Sequence, residues 1–230
     1  KNIILFIDTA FNKTILAEKK NYKIFKKEIK SNKNISQVLI EETKEILKEA
    51  KLEKKDIKLL SFNNGPGNFT SLRISLAFIK SISFYLQIPI IPINSFQILA
   101  LALKKENTIS PIIITIDARM NEIYWTYYEN FPEVFLPKTK YNLTSEIEMY
   151  KKIGNSFLDN SVLIQNDENI LKRKDDNALF SEIKTIYNCK AYLKVIFSYI
   201  EKSFEKGLVK NSDKINLLYI RDKVAKKQYE

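Results

Sequence analysis

The chain has 230 residues, 45% of them hydrophobic, with a single cysteine and no histidine. That length carries one large or two small domains with a real core. The missing residues exclude Ser-His-Asp and Cys-His catalysis, histidine-based metal sites and an internal disulfide, leaving acid-only magnesium sites open. The net charge of +11 raises nucleic acid as a partner. The lysines, however, are spread along the whole chain, and the Lys, Asn, Ile, Tyr and Phe excess is that of an AT-rich coding sequence.

The opening Lys1-Asn-Ile-Ile-Leu-Phe-Ile-Asp8 has too short an apolar run for a signal peptide, so a cytoplasmic location is expected. It reads as a buried strand ending in an acid, followed by a turn and a second strand of alternating character. A third strand is expected at Tyr22–Glu28. A helix follows at Ile35–Leu52, with Asn34 and Gln37 spaced as a capping box and Val38, Leu39, Ile46 and Ala50 along one side. Strand Ile57–Phe62, helix Phe69–Leu86, strand Ile88–Ile93 and helix Ser95–Lys105 complete the first half. Stretch Ile74–Ile93 is the most apolar, but Lys80, Pro89 and Pro92 break it, so it reads as helix then strand rather than a membrane span.

The second half echoes the first. At one fixed offset Ile3, Ile4, Ile7, Asp8 and Asn12 fall on Ile112, Ile113, Ile116, Asp117 and Asn121. Strands are expected again at Ile112–Asp117, Glu122–Tyr128, Glu133–Leu136 and Val162–Gln165, with helices at Ser145–Lys151 and Asn188–Lys206. Both halves thus read as β-β-β-α-β-α, the ribonuclease-H-like unit. The expected fold is α/β, two tandem ribonuclease-H-like lobes of the actin and sugar-kinase type with mixed sheets. The first lobe spans 1–106 and a smaller, diverged second lobe spans 107–230, with its last segment able to return to the first. The linker is expected near Lys104–Ser110.

Actin-like kinases cradle phosphate with glycines in the first hairpin turn, because backbone amides reach an anion only where side chains do not intervene. Here Asp8-Thr9-Ala10-Phe11-Asn12-Lys13 and Asp117-Ala118-Arg119-Met120-Asn121 have none. Asp8, Thr9, Asp117 and Arg119 are therefore candidates for a vestigial nucleotide site. The plainer reading is that Asp8 and Asn12 satisfy turn amides.

Two of the four glycines lie in Gly65-Pro66-Gly67-Asn68-Phe69-Thr70-Ser71-Leu72-Arg73. This is a tight strand-to-helix bend that Asn68 or Thr70 can cap. The helix it opens carries two apolar stripes. One holds Leu72, Leu76, Ile79 and Leu86, the other Ser71, Ser75, Phe78, Ile82 and Tyr85. Such a helix needs cover on two sides, from its own sheet and from either the preceding helix or an external partner.

Residues Asn64–Ile74 resemble the GPGSFTGLRIG signature of the bacterial tRNA threonylcarbamoyladenosine biosynthesis proteins of the TsaB family. Ile7-Asp8-Thr9-Ala10, Asp117-Ala118-Arg119-Met120-Asn121-Glu122-Ile123-Tyr124 and Tyr219-Ile220-Arg221 support this, in the family's order. Three departures stand out: Ser71 and Ser75 replace family glycines, Asn34-Ile35-Ser36 replaces a His-Ser, and the match beyond Tyr124 is weak.

The resemblance implies a catalytically silent, actin-like subunit without a metal or resident cofactor, ATP or ADP at a complex interface being the one possibility. Its partners would be a TsaD-like catalytic subunit, whose metal is held by histidines, and a TsaE-like ATPase. Transfer RNA would be met indirectly, and no membrane is expected. The implied partner surface, for the catalytic subunit or a homodimer, lies on helices 35–52 and 69–86, at Val38, Leu39, Glu42, Ile46, Ser71, Ser75, Phe78 and Ile82. The alternative is an actin-like ATPase or kinase holding magnesium with Asp8 and Asp117.

Overall fold

The computed structural model describes residues 3–11, 13–30, 34–103, 111–128, 141–154, 161–165, 182–185 and 193–221. The first sheet comprises β1 (Ile3–Asp8), β2 (Lys13–Lys20), β3 (Lys23–Lys30), β4 (Ile57–Asn63) and β5 (Ile90–Ile93), in the order β3-β2-β1-β4-β5. The second comprises β6 (Ile112–Asp117), β7 (Ile123–Tyr128), β8 (Asn142–Thr144), β9 (Val162–Gln165) and β10 (Glu182–Thr185), in the order β8-β7-β6-β9-β10. The wiring is the same. In each sheet the first strand pairs antiparallel with the second and parallel with the fourth, and the fifth adds in parallel beyond it. The chain is two ribonuclease-H-like units in tandem.

The helices are α1 (Ile35–Glu49), α2 (Phe69–Leu86), α3 (Ser95–Leu103), α4 (Glu146–Ile153) and α5 (Leu193–Glu205). Alternation along β1 decides what each covers, since successive side chains point to opposite faces. Leu5 and Ile7 meet Leu39 and Leu47 of α1 and Leu72 and Ile79 of α2. Ile4 and Phe6 face the other way, into a core shared by both sheets, with Phe96 and Leu99 of α3, Phe197 and Ile200 of α5, and Ile112 and Ile114 of β6. Phe6 meets Phe197 edge-on at 6.4 Å. On the far side of the second sheet Ile113, Trp125 and Leu163 cover Met149 of α4. Each fully buried side chain of this size contributes about 1.5–3 kcal/mol, so the shared core holds the two halves together.

Several local expectations need correction. The strand pairing with β7 is Asn142–Thr144, while the expected Glu133–Leu136 lies outside the described residues. So do the linker at 104–110, the start of the last helix at 188–192, and Asn12. The capping box on α1 is open: Asn34 Oδ1 accepts the Ser36 N–H, but the Gln37 amide donates to Glu41 instead. Strand β10 went unforeseen, because its four residues Glu182-Ile-Lys-Thr185 carry only one strongly apolar side chain.

Beneath α1 lies one buried carboxyl. Glu18 stands opposite Leu5 on β1, fully buried, with neither oxygen hydrogen-bonded among the described residues. Lys20 lies nearby, but its ammonium donates to the Ala50 carbonyl at the end of α1. Burial pushes the Glu18 carboxyl up to about 7, against the weaker opposing pull of Lys20.

Candidate functional site

Strand β4 ends at Asn63 and α2 starts at Phe69, so the glycine segment must turn the chain within a few residues. Gly65 has φ +100°, where only glycine is unstrained. Gly67 is needed for a different reason. A Cβ there would lie 2.8 Å from the Ala10 Cβ and inside contact distance of the Ala10 carbonyl oxygen. That approach lets the Asn68 N–H donate to the same carbonyl at 2.7 Å. The Asn68 side chain then caps α2 by accepting the Ser71 N–H at 3.1 Å.

The corner is tied to the first hairpin by buried polar groups. Asp8, 2% exposed, accepts the Ala10 N–H at 2.9 Å and the Asn63 amide at 3.0 Å on one oxygen. Asn63 Oδ1 accepts the Gly65 N–H. The Ser95 hydroxyl at the start of α3 lies 3.0 Å from Asn63 Oδ1 and 2.6 Å from the Pro66 carbonyl. Ser75 donates to the Ser71 carbonyl, so the Thr9 hydroxyl, 2.6 Å away, donates to Ser75. The first hairpin turn is thus bonded to the corner, to the end of β4 and to α2.

The second hairpin repeats the first with less cover. Asp117 accepts the Arg119 N–H at 2.8 Å, as Asp8 does for Ala10, but its side chain is 41% exposed. Arg119, Met120 and Asn121 all have positive φ, at 65°, 56° and 60°. The Arg119 side chain is 82% exposed, its Nε 3.7 Å from Asp117 Oδ2.

A C-terminal strap joins the two turns. Ile215 and Leu217 are buried against the α1–α2 side of the first sheet, and the Leu218 N–H donates to the Asn64 carbonyl at 2.8 Å. Tyr219 packs edge-on against Phe69, with ring centroids 5.9 Å apart. Arg221 then reaches the second hairpin, donating to the Ala118 carbonyl at 3.1 Å and pairing with Glu122 at 2.7 Å.

The structure therefore brings together Asp8, Thr9, Gly65, Pro66, Gly67 and Asn68, and leaves Phe69, Thr70 and Arg73 facing solvent. It does not leave the expected partner residues on the surface as a set. Val38, Leu39 and Ile46 are buried within the chain, Leu39 against the first sheet. Ser71 and Ser75 are buried as well, with Ser75 bonded to the Thr9 turn, so they admit that turn rather than a second helix. Glu42, Phe78 and Ile82 stay half-buried. The outward side of the pair shows Ile40 (48% exposed), Phe84 (71%) and Tyr85 (80%) instead. Asn63 and Ser95 were missed, although a polar residue closing an apolar strand just before a glycine was the available signal.

A family model described as "TsaD: tRNA N6-adenosine threonylcarbamoyltransferase" matches residues 23–185. The tRNA threonylcarbamoyladenosine biosynthesis protein TsaB of Buchnera aphidicola subsp. Acyrthosiphon pisum is 31% identical over 194 residues, covering 80% of this chain and 86% of that protein. The chain belongs to the TsaB family. A shorter match, 43% identical over 51 residues, is to the tRNA N6-adenosine threonylcarbamoyltransferase of Christiangramia forsetii, of which it covers 15%. A crystal structure described as an uncharacterized protein with similarity to peptidase YEAZ from Pseudomonas aeruginosa superposes with a TM-score of 0.80 at 18% identity, over 96% of this chain and 100% of that one. At that identity the likeness shows the fold. The TsaB-like segments of this sequence, 7–10, 64–74, 117–124 and 219–221, all meet at the two hairpin turns and the strap.

Proposed function

We propose that the chain is a non-catalytic subunit that binds and stabilises a TsaD-type catalytic subunit in threonylcarbamoylation of the adenosine beside the tRNA anticodon. The observation that carries this is the bonding of the first turn to the corner. The Asp8 oxygen that accepts two bonds serves the Ala10 amide and Asn63, and Gly67 seats the corner on Ala10. That arrangement supports a structural corner over an anion cradle. The absence of histidine supports the same reading. No helix among the described residues is long and apolar enough to cross a membrane.

The partner face in this reading is the outer surface of α1 and α2, centred on Ile40, Phe78, Ile82, Phe84 and Tyr85, with Glu42 beside it. Two of these are large side chains more than 70% exposed, and such a surface marks an interface. Coexpression with the cognate TsaD-type subunit tests this. A 1:1 complex is expected by size exclusion, weakened by Phe84→Ser with Tyr85→Ser. Separate peaks would overturn it, and ATP turnover by the isolated chain that is lost in Asp8→Ala would favour the ATPase reading instead.

A further inference from the structure

Of the 38 basic residues, only Arg73, Arg119, Arg173 and Arg221 are arginine. Arg173 lies outside the described residues. The other three follow one another from the first corner, along the strap, to the second hairpin, with the Arg221 side chain 24% exposed. The Arg73 guanidinium sits 5.3 Å from the Phe69 ring centroid, and Phe69 meets Tyr219. Two residues on, within about 7 Å by chain geometry, Arg221 reaches Ala118 and lies 4.0 Å from the Met120 sulfur, beside Arg119. The run crosses from the first hairpin corner to the second, and its aromatic members stay open to solvent, Phe69 at 45% and Tyr219 at 58%.

Lysine supplies positive charge nearly everywhere else in this chain. A guanidinium does what an ammonium cannot: it is flat, stacks on π faces and donates in a fixed fork. Guanidinium planes and exposed aromatic rings together are what hold unstacked bases of single-stranded RNA. The nearby carboxylates are ion-paired, Glu122 with Arg221 at 2.7 Å and Asp117 with Arg119 at 3.7 Å, so stacking and the guanidinium fork, rather than local net charge, would hold the bases. The net charge of +11 adds sequence-independent attraction for the phosphates.

We propose that Phe69, Arg73, Arg119, Met120, Tyr219 and Arg221 form a contact surface for unpaired RNA nucleotides, separate from the α1–α2 face. The test is fluorescence anisotropy of the full chain with a labelled RNA hairpin bearing an unpaired loop, against a fully paired duplex of equal length. The hairpin should bind more tightly. Phe69→Leu and Tyr219→Leu should each weaken it roughly 5- to 100-fold, the loss of one stacked base. Arg73→Lys and Arg119→Lys, which keep the charge, should also weaken it, while the remote Lys55→Gln should leave the preference unchanged. Circular dichroism melts confirm that the variants are folded.

Equal affinity for hairpin and duplex, unaffected by these substitutions, would overturn the proposal and leave only a diffuse lysine field. Unchanged RNA binding with loss of the TsaD-type complex would overturn it too, making the patch a protein contact. Because complex formation is read separately, failure of the subunit reading stays distinguishable from failure of this one.

Discussion

The Thr9 hydroxyl lies 2.6 Å from the Ser75 hydroxyl, so the turn of the first hairpin is bonded to the second turn of α2. Ser75 in turn gives its proton to the Ser71 carbonyl. Ser75→Ala removes the acceptor for a Thr9 hydroxyl that is 2% exposed. A loss of about 1–3 kcal/mol is expected, measured by urea unfolding. An unchanged midpoint would show that the hairpin and helix are not coupled here.

Gly67→Ala is expected to cost more than its size suggests. Its methyl would collide with the Ala10 carbonyl, and separating the two also stretches the bond from Asn68 to that carbonyl. Destabilisation of about 1–3 kcal/mol follows from overpacking. Hydrogen exchange at the start of α2 should rise, whereas Gly154→Ala, with open space around it, should leave α2 exchange unchanged.

Stability should fall as pH rises from about 4.5 to about 7 on account of Glu18. Its folded-state value is raised above its unfolded one, so across that window the unfolded chain binds fewer protons than the folded chain. Glu18→Gln should remove that slope and raise stability at pH 8 relative to the parent. Urea midpoints at pH 5 and pH 8 decide it, and a parallel pH dependence in both proteins would exclude Glu18 as the source.

Arg221→Ala should loosen the strap without unfolding either sheet. It deletes bonds to Ala118 and Glu122 that are partly exposed and together worth about 0.5–2 kcal/mol. Limited proteolysis near 215–221 should accelerate while the thermal midpoint moves little. Arg221→Lys should restore only part of the protection, since an ammonium replaces a fork.

The sequence by itself determined the duplicated architecture, because strand and helix periods and the Ile-Ile…Ile-Asp echo are local patterns. It located β1, β6, β9 and α2 closely, and it marked the Gly65–Arg73 corner, where glycine is locally required. What only the tertiary structure decided was which faces are covered. Val38, Leu39 and Ile46 look like a docking stripe until their burial within the chain is seen, and Ser71 and Ser75 look like a helix-packing notch until Thr9 is seen bonded to Ser75. Glu18 gives no sign of burial in a lysine-rich strand. The strap's role is also invisible, because the bond from Leu218 to Asn64 and those from Arg221 to the second hairpin join residues about a hundred or more positions apart. Local sequence sets the period of each element, while burial depends on long-range closure, which no short window of sequence contains.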